Sequence, residues 1–240
     1  MGRYWLADHV FLCIDDAFLV VLDLRQDRYW QLEASSTAPL SGLVPGWPVR
    51  PLDAPLAGSS DPEMAQQIAE ALIEQGILTE SETGGKDATP VRVAAPRREL
   101  LSADEYKAAR GGMGALGNLI SAAVSAKVAL RLGRFEKAVQ RVQERKRNAG
   151  CRTAQLDFER ARTLVEQFFR LRVFLFTSKS ECLFDSLTLL NFLARYGIFP
   201  DWVFGVQARP FAAHCWVQLD EIVFNDTVEH VRGYTPIMAV

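Results

Sequence analysis

Apolar positions along the chain follow two periods. Over residues 9–14, 18–24 and 28–32 they gather in short runs rich in Val, Ile, Leu, Phe and Tyr, separated by Asp15-Asp16 and Arg25-Gln26-Asp27. Runs of that length between polar turns predict the three strands of a β-meander. From residue 62 the period lengthens. Asp61-Pro62 supplies a cap followed by proline at the first helical position, and Met64, Ile68 and Leu72 with Ala65, Ala69 and Ile73 form an apolar stripe that stops at Gly76. Three strands and a few helices over residues 1–80 predict a small winged-helix-like domain within an α+β protein.

The stretch that follows, residues 81–98, mixes Ser, Thr, Gly, Pro and charge with no apolar period, and predicts a linker. Val44-Pro45-Gly46-Trp47-Pro48-Val49-Arg50-Pro51 predicts a surface loop interrupting the first domain. Residues 99–240 form the second domain. Its first part is helical in pattern throughout: Ser102-x-x-Glu105 fits a capping box, and long runs cover 113–132, 134–148 and 153–174. The run 113–132 is strongly apolar. Asn118, Lys127 and its many small residues predict a buried or partner-facing helix rather than a membrane span. Residues 131–152 hold eight Lys and Arg against two Glu, the pattern of a solvated helix face or of a receiver for an acidic peptide, an anionic lipid surface or a partner.

Candidate chemistry is concentrated from residue 180 onward. Ser180 is a good N-cap, which puts Cys182 in the first turn of an apolar helix ended by Gly197. Cys182, Ser186, Leu189 and Leu193 form one row of that helix and Leu183, Leu187, Leu190 and Ala194 the next, so it should be central and buried. The runs 202–206, 214–219 and 222–226 then read as antiparallel strands, bringing His214 and Asp226. Cys, His and Asp in this order suit a nucleophilic thiol. A helix start and an imidazolium hold the sulfur as thiolate, and the carboxylate fixes the imidazole. Asn225 and Asp220 compete with Asp226 for the third position. Cys215 is expected on the opposite strand face, in the core, while His230 and His9 are expected to be surface or incidental.

The hairpin can be tested as geometry. For His214 and Asp226 to share a face, paired residues must sum to 440, which needs a three-residue loop, Leu219-Asp220-Glu221. A two-residue turn at Asp220-Glu221 gives 441 and puts them on opposite faces. The triad therefore predicts an odd-length loop or a bulge.

The run from Cys182 to Asp226, with Tyr196-Gly197-Ile198, Val203-Phe204-Gly205-Val206, His214-x-Trp216-Val217 and Phe224-Asn225-Asp226, resembles the transglutaminase-like cysteine peptidase of lasso-peptide biosynthesis, the B protein or leader peptidase. Cys215 departs from that pattern, where a small residue such as alanine is common. The first domain, through Leu22-Asp23-Leu24, Arg28-Tyr29-Trp30-x-Leu32 and Gly76-Ile77-Leu78, resembles the peptide-recognition element related to the small pyrroloquinoline-quinone maturation chaperone. The resemblance implies Cys182, His214 and Asp226 as catalytic residues. It implies a leader peptide added as a strand against Arg28, Tyr29, Trp30, Gln31 and Leu32, alongside Ile68 and Leu72 of the helix. It also implies a partner, an asparagine-synthetase-like ATP-dependent cyclase, for which residues 113–147 are the expected contact. Acyl transfer to an amine on the same triad and non-enzymatic chaperoning of the precursor are the alternatives.

Charge and cysteine usage narrow this further. The chain is 49% hydrophobic with net charge −2, and residues 1–90 hold fourteen Asp and Glu against five Lys and Arg, the reverse of a nucleic-acid binder. Four cysteines without a Cys-x-x-Cys pair predict neither a zinc site nor a disulfide framework, and no metal or cofactor is called for. The start, Met1-Gly2-Arg3-Tyr4-Trp5-Leu6-Ala7-Asp8, lacks the unbroken apolar core of a signal peptide, and a reducing cytoplasm suits a free thiolate.

Overall fold

The computed structural model describes residues 4–55, 62–101, 113–132, 135–150, 158–173 and 182–240. They divide into two compact units. The first runs to Arg92 and includes Gly205–Ala213 and Thr235–Met238; the second comprises Val93–Phe204, His214–Tyr234 and Ala239–Val240.

In the first unit β1 (Trp5–Ala7) precedes the meander β2 (Val10–Asp15), β3 (Phe18–Asp23) and β4 (Arg28–Glu33). The meander is antiparallel in the order β2-β3-β4, with Val10 opposite Asp23 and Val21 opposite Trp30. Its turns use aspartates: Asp16 and Asp27 take φ of 52° and 51°, a conformation Asp tolerates better than branched residues. Asp23 Oδ1 accepts the Arg25 and Gln26 N–H groups at 2.7 and 3.0 Å, fixing the second turn. Short α1 (Ala34–Thr37) follows, then α2 (Pro62–Glu74), β5 (Leu78–Thr79) and β6 (Gly85–Lys86). β1 lies between β5 and β6 in a second small sheet.

One face of the meander, Val10, Leu12, Leu19 and Val21 with half-buried Ile14, Trp30 and Leu32, packs on Ala65, Ala69 and Leu72 of α2. Here the observed helix face keeps the predicted stripe except at Met64. Ala65, Ala69 and Leu72 point inward while Met64 is 54% exposed, because two alanines let the helix approach closely and the longer Met64 is turned outward. The proline-rich stretch is no surface loop. Val44 and Trp47 are buried in this core, and Gly46 takes φ +73° with Thr89 so close that no Cβ would fit. The expected linker also carries structure: β6 lies within it, and the Ala88 N–H donates to the Pro45 carbonyl at 2.8 Å. Two-residue strands leave no period for a sequence to reveal. The caps proposed at Asp61 and Ser102 lie outside the described residues.

The second unit contains β7 (Arg98–Glu99), α3 (Met113–Leu132), α4 (Phe135–Ala149), α5 (Phe158–Arg172), α6 (Cys182–Ala194), β8 (Asp201–Gln207), β9 (Ala212–Leu219), β10 (Ile222–Val223), α7 (Val228–Val231) and β11 (Thr235–Ala239), with parts of β8, β9 and β11 counted in the first unit. The five strands form one sheet in the order β11-β8-β9-β10-β7, with β7 parallel to β10. α6 is the central helix that the sequence predicts: every residue from Ser186 to Leu193 is buried, and α3 and α5 pack on it. It closes with Gly197 at φ +78° and an Ile198 N–H to Leu193 carbonyl bond of 3.1 Å, the left-handed glycine stop. On one sheet face Phe135 meets Trp202 and Phe204 edge-on; on the other Val203, Trp216, Val223 and Val231 cluster. Among the described residues no helix is long and apolar enough to cross a membrane.

Candidate active site

Cys182 is the first described residue of α6, and a sulfur in the first turn of a helix lies where N–H groups are unpaired. Ser180, its proposed cap, lies outside the described residues. The half-buried sulfur lies within electrostatic reach of the Cys215 thiol and backbone and of His214, all of which favour its charged form. His214 Nε2 meets Asp226 Oδ2 at 2.5 Å, which leaves Nδ1 as the ring nitrogen facing sulfur. Structure thus brings together Cys182, His214 and Asp226. Asn225, a competitor for the third position, is used elsewhere, and Asp220 sits in the β9–β10 turn with φ 50°.

The register explains how Asp226 reaches the histidine. Ile222 pairs with Leu219 and Val223 with Gln218, a sum of 441, so the turn has two residues and the odd-length loop expected here is absent. The ladder instead breaks early. Phe224 N–H still donates to the Val217 carbonyl at 2.8 Å, but the Val217 N–H is taken by Asn225 Oδ1 at 2.7 Å. A side-chain amide replaces the strand carbonyl, pairing stops, and the chain bends to swing Asp226 beneath His214. Asn225 Nδ2 donates to Ser186 Oγ at 3.1 Å, and that hydroxyl donates to the Cys215 carbonyl at 3.2 Å. The bend, β9 and the second turn of α6 are locked into one frame.

Two residues set aside on sequence grounds belong to the site. Cys215 is buried in the core as expected, but instead of facing away from the site its thiol lies against α6, 3.8 Å from Ser186 Oγ, and interacts with Cys182. Because Cys182 opens the helix at the end of the strand, it is reached both by the core-facing Cys215 and by its neighbour His214. His230, expected to be incidental, directs Nδ1 at Asp226 Oδ1 and Oδ2 at 2.9 and 3.1 Å, with its ring 4.7 Å from that of His214. The Thr227 N–H donates to Asp226 Oδ1 at 2.7 Å, and Thr227 Oγ1 accepts the His230 N–H, capping α7. Asp226 is therefore held on both sides. Its i,i+4 spacing from His230 was the available sequence signal.

Electrostatics favour an ion pair. The Cys215 thiol bond, with the His214 contacts and the Cys215 backbone bond, outweighs burial and draws the Cys182 thiol down to about 4. Burial works against a charged His214, but Asp226 and Cys182 lift it to about 9. Burial would raise Asp226, yet its bonds to His214, Thr227 and His230 hold it below the usual carboxylate range. Burial first, then the Cys182 charge, push Cys215 well above an ordinary thiol. Just behind, Arg172 Nη1 donates to Asp185 Oδ1 at 2.6 Å, which offsets part of the burial that raises Asp185. His214, Asp226 and His230 offer ligand atoms within 4.8 Å of one another and could hold a cation, although hydrogen bonds among the three already account for their convergence.

The other predicted site residues lie in the first unit. Trp30 and Leu32 turn to the core with half-buried Ile68, and Leu72 is 5% exposed. Tyr29 and Gln31 lie on the opposite face, where Tyr29 meets Phe211 at 5.6 Å and Gln31 Nε2 donates to the Ala208 carbonyl at 3.0 Å. Arg28 is exposed.

A model of the transglutaminase-like superfamily matches residues 122–239, a span that contains α6, the bend and the whole Cys-His-Asp cluster. Residues 122–239 are a transglutaminase-like domain. No curated protein and no solved structure matches the chain. Transglutaminase-like domains typically carry cysteine-based chemistry of the peptidase or acyl-transfer type, in which a thiolate attacks a carbonyl and an imidazolium protonates the leaving amine. Within this transglutaminase-like domain His230 acts on Asp226 rather than on sulfur. His230→Ala should lower kcat on a peptide substrate roughly tenfold with little change in KM, because the carboxylate that aligns His214 is freed to rotate. His230→Asn, which keeps a donor near the Nδ1 position, should restore most of the rate; equal loss in both variants contradicts the positioning role.

Proposed function

We propose that this protein is a leader peptidase for a ribosomally made lasso precursor peptide. Cys182 thiolate attacks the carbonyl at the leader–core junction, and N–H groups at the start of α6 receive the oxyanion. His214 gives its proton to the departing amine, leaving a thioester on Cys182 and a free amine on the core. His214 then takes a proton from water, which attacks the thioester and releases the leader as a carboxylic acid. Asp226 keeps His214 aligned throughout and favours its protonated form before attack.

The observation that carries this reading is the acidic thiol of Cys182 beside a His214 whose far nitrogen bonds Asp226 at 2.5 Å. Capture of the leader falls to the first unit, read as a winged-helix-like recognition element. β4 is an edge strand, paired only with β3 among the described residues, and an added strand would pair along its outer edge. With Trp30, Leu32 and Leu72 committed to the core, main-chain pairing along 28–33 and the exposed Arg28 carry recognition. Holding the leader there raises the local concentration of the scissile bond. The released core passes to an ATP-dependent cyclase, for which the exposed Ile120, Val124 and Val128 of α3 are the proposed contact.

The test is to incubate the full-length protein with its cognate precursor peptide, with and without the cyclase, and to weigh the products. Free leader carrying one added water supports hydrolysis. A leader carrying a new amide in place of the core indicates acyl transfer instead. Maturation that proceeds with no cleavage by this protein indicates a chaperone.

A further inference from the structure

On the side of α6 away from its start, Ser125, Arg145, Asn191, Ala194 and Arg195 line an open pocket of about 340 Å³. Two guanidiniums are aimed by neutral groups. Arg145 Nη1 donates to Asn191 Oδ1 at 2.6 Å, and Asn191 is itself 5% exposed with Nδ2 turned to the Ala122 carbonyl. Arg195 Nη2 donates to Ser121 Oγ at 2.6 Å. Neutral partners orient a cation without cancelling its charge. A third cation, Arg141, precedes Arg145 by one turn of α4, and burial together with the fields of Arg141 and Arg195 lowers the Arg145 pKa. Among the described residues no carboxylate pairs with any of the three, whereas the adjacent Lys146 is paired with Asp201.

Convergent like charges repel, so the arrangement costs stability unless an anion enters. We infer that this pocket binds a multiply charged phosphate anion, from inorganic phosphate to pyrophosphate in size. Guanidinium forks match phosphate oxygens in pairs. Two guanidiniums in the lining, with Arg141 one turn away on α4, exceed what one carboxylate neutralises, and a concave pocket of this volume suits a compact ligand better than an extended acidic chain or a flat lipid surface. Asn191 lies about 14 Å along α6 from Cys182 at the usual rise per residue. The site is therefore separate from the catalytic cluster, and the inference does not rest on the peptidase reading.

Calorimetric titration of the full-length protein with pyrophosphate and with phosphate, at constant ionic strength, tests it. The expected result is saturable one-to-one binding with Kd below about 1 mM, weakened at least about tenfold by Arg145→Gln or Arg195→Gln. Arg147→Gln, which removes the same charge from α4 outside the pocket, should leave Kd unchanged. Ser125→Phe, which fills the pocket and keeps every charge, should abolish binding; circular dichroism establishes that each variant is folded. No saturable heat with either anion, or equal weakening by Arg147→Gln, overturns the inference. So does a Glu-rich peptide or an anionic phosphatidylserine vesicle that binds more tightly than pyrophosphate and depends on Arg145.

Discussion

Cys182→Ala should lower peptide hydrolysis by at least about 10³-fold while leaving the far-ultraviolet circular dichroism and the unfolding midpoint near their wild-type values. Cys182 is half-buried in α6, so trading its sulfur for hydrogen removes little packing. Its loss removes, among the described cysteines, the one thiol made acidic. Cys13 is pushed by burial up to about 12, and Cys215 is pushed well above its ordinary value, so neither can substitute. The pH dependence of the wild type follows in sign. The Cys182 pKa is depressed, so thiolate is present above about 4 and lost as pH falls through it. The His214 pKa is raised, so imidazolium is present below about 9 and lost as pH rises through it. Hydrolysis should plateau between those values and fall at both ends. Retention of more than a tenth of wild-type hydrolysis in Cys182→Ala would remove this thiol from the mechanism.

Phe192→Ala should produce the largest loss of stability, about 3–5 kcal/mol. Phe192 is fully buried in the last turn of α6, with ring centroids 6.0 Å from Phe168 and 5.1 Å from Tyr196. Truncation opens a cavity between α5 and α6 that rigid helices fill only in part. Urea unfolding followed by tryptophan fluorescence measures it, since Trp202 and Trp216 are both buried in the second unit. A loss below about 1 kcal/mol would mean that α6 is not the structural centre of this unit.

What the sequence makes legible is set by length and period. α6, the meander and the long helices α3 and α4 announce themselves because several turns or alternations repeat one pattern. β1, β5, β6 and β7 have two or three residues each and exist only because partners far along the chain meet them. Cys182 and His214 stood out through residue type and context, and Asp226 through its place after a strand. The route by which Asp226 reaches His214 did not, since a counting rule assumes an unbroken ladder and Asn225 breaks it with a side chain. Strand alternation places Cys215 in the core, as observed, but does not say that Cys182 lies at the strand's end, near both Cys215 and His214. Trp47 was hidden by prolines that usually mark a surface, here placed beside a glycine that lets the chain fold tightly against Thr89.

The central claim is that Cys182 is a thiolate held by an imidazolium. It is tested most directly by the pH dependence of iodoacetamide modification at Cys182, quantified by mass spectrometry of the peptide that contains it. The account predicts half-maximal modification near pH 4, displaced upward in His214→Ala, with Cys13 and Cys215 unlabelled over the same range. A midpoint near 9, the value of an ordinary thiol, unchanged by His214→Ala, would contradict it.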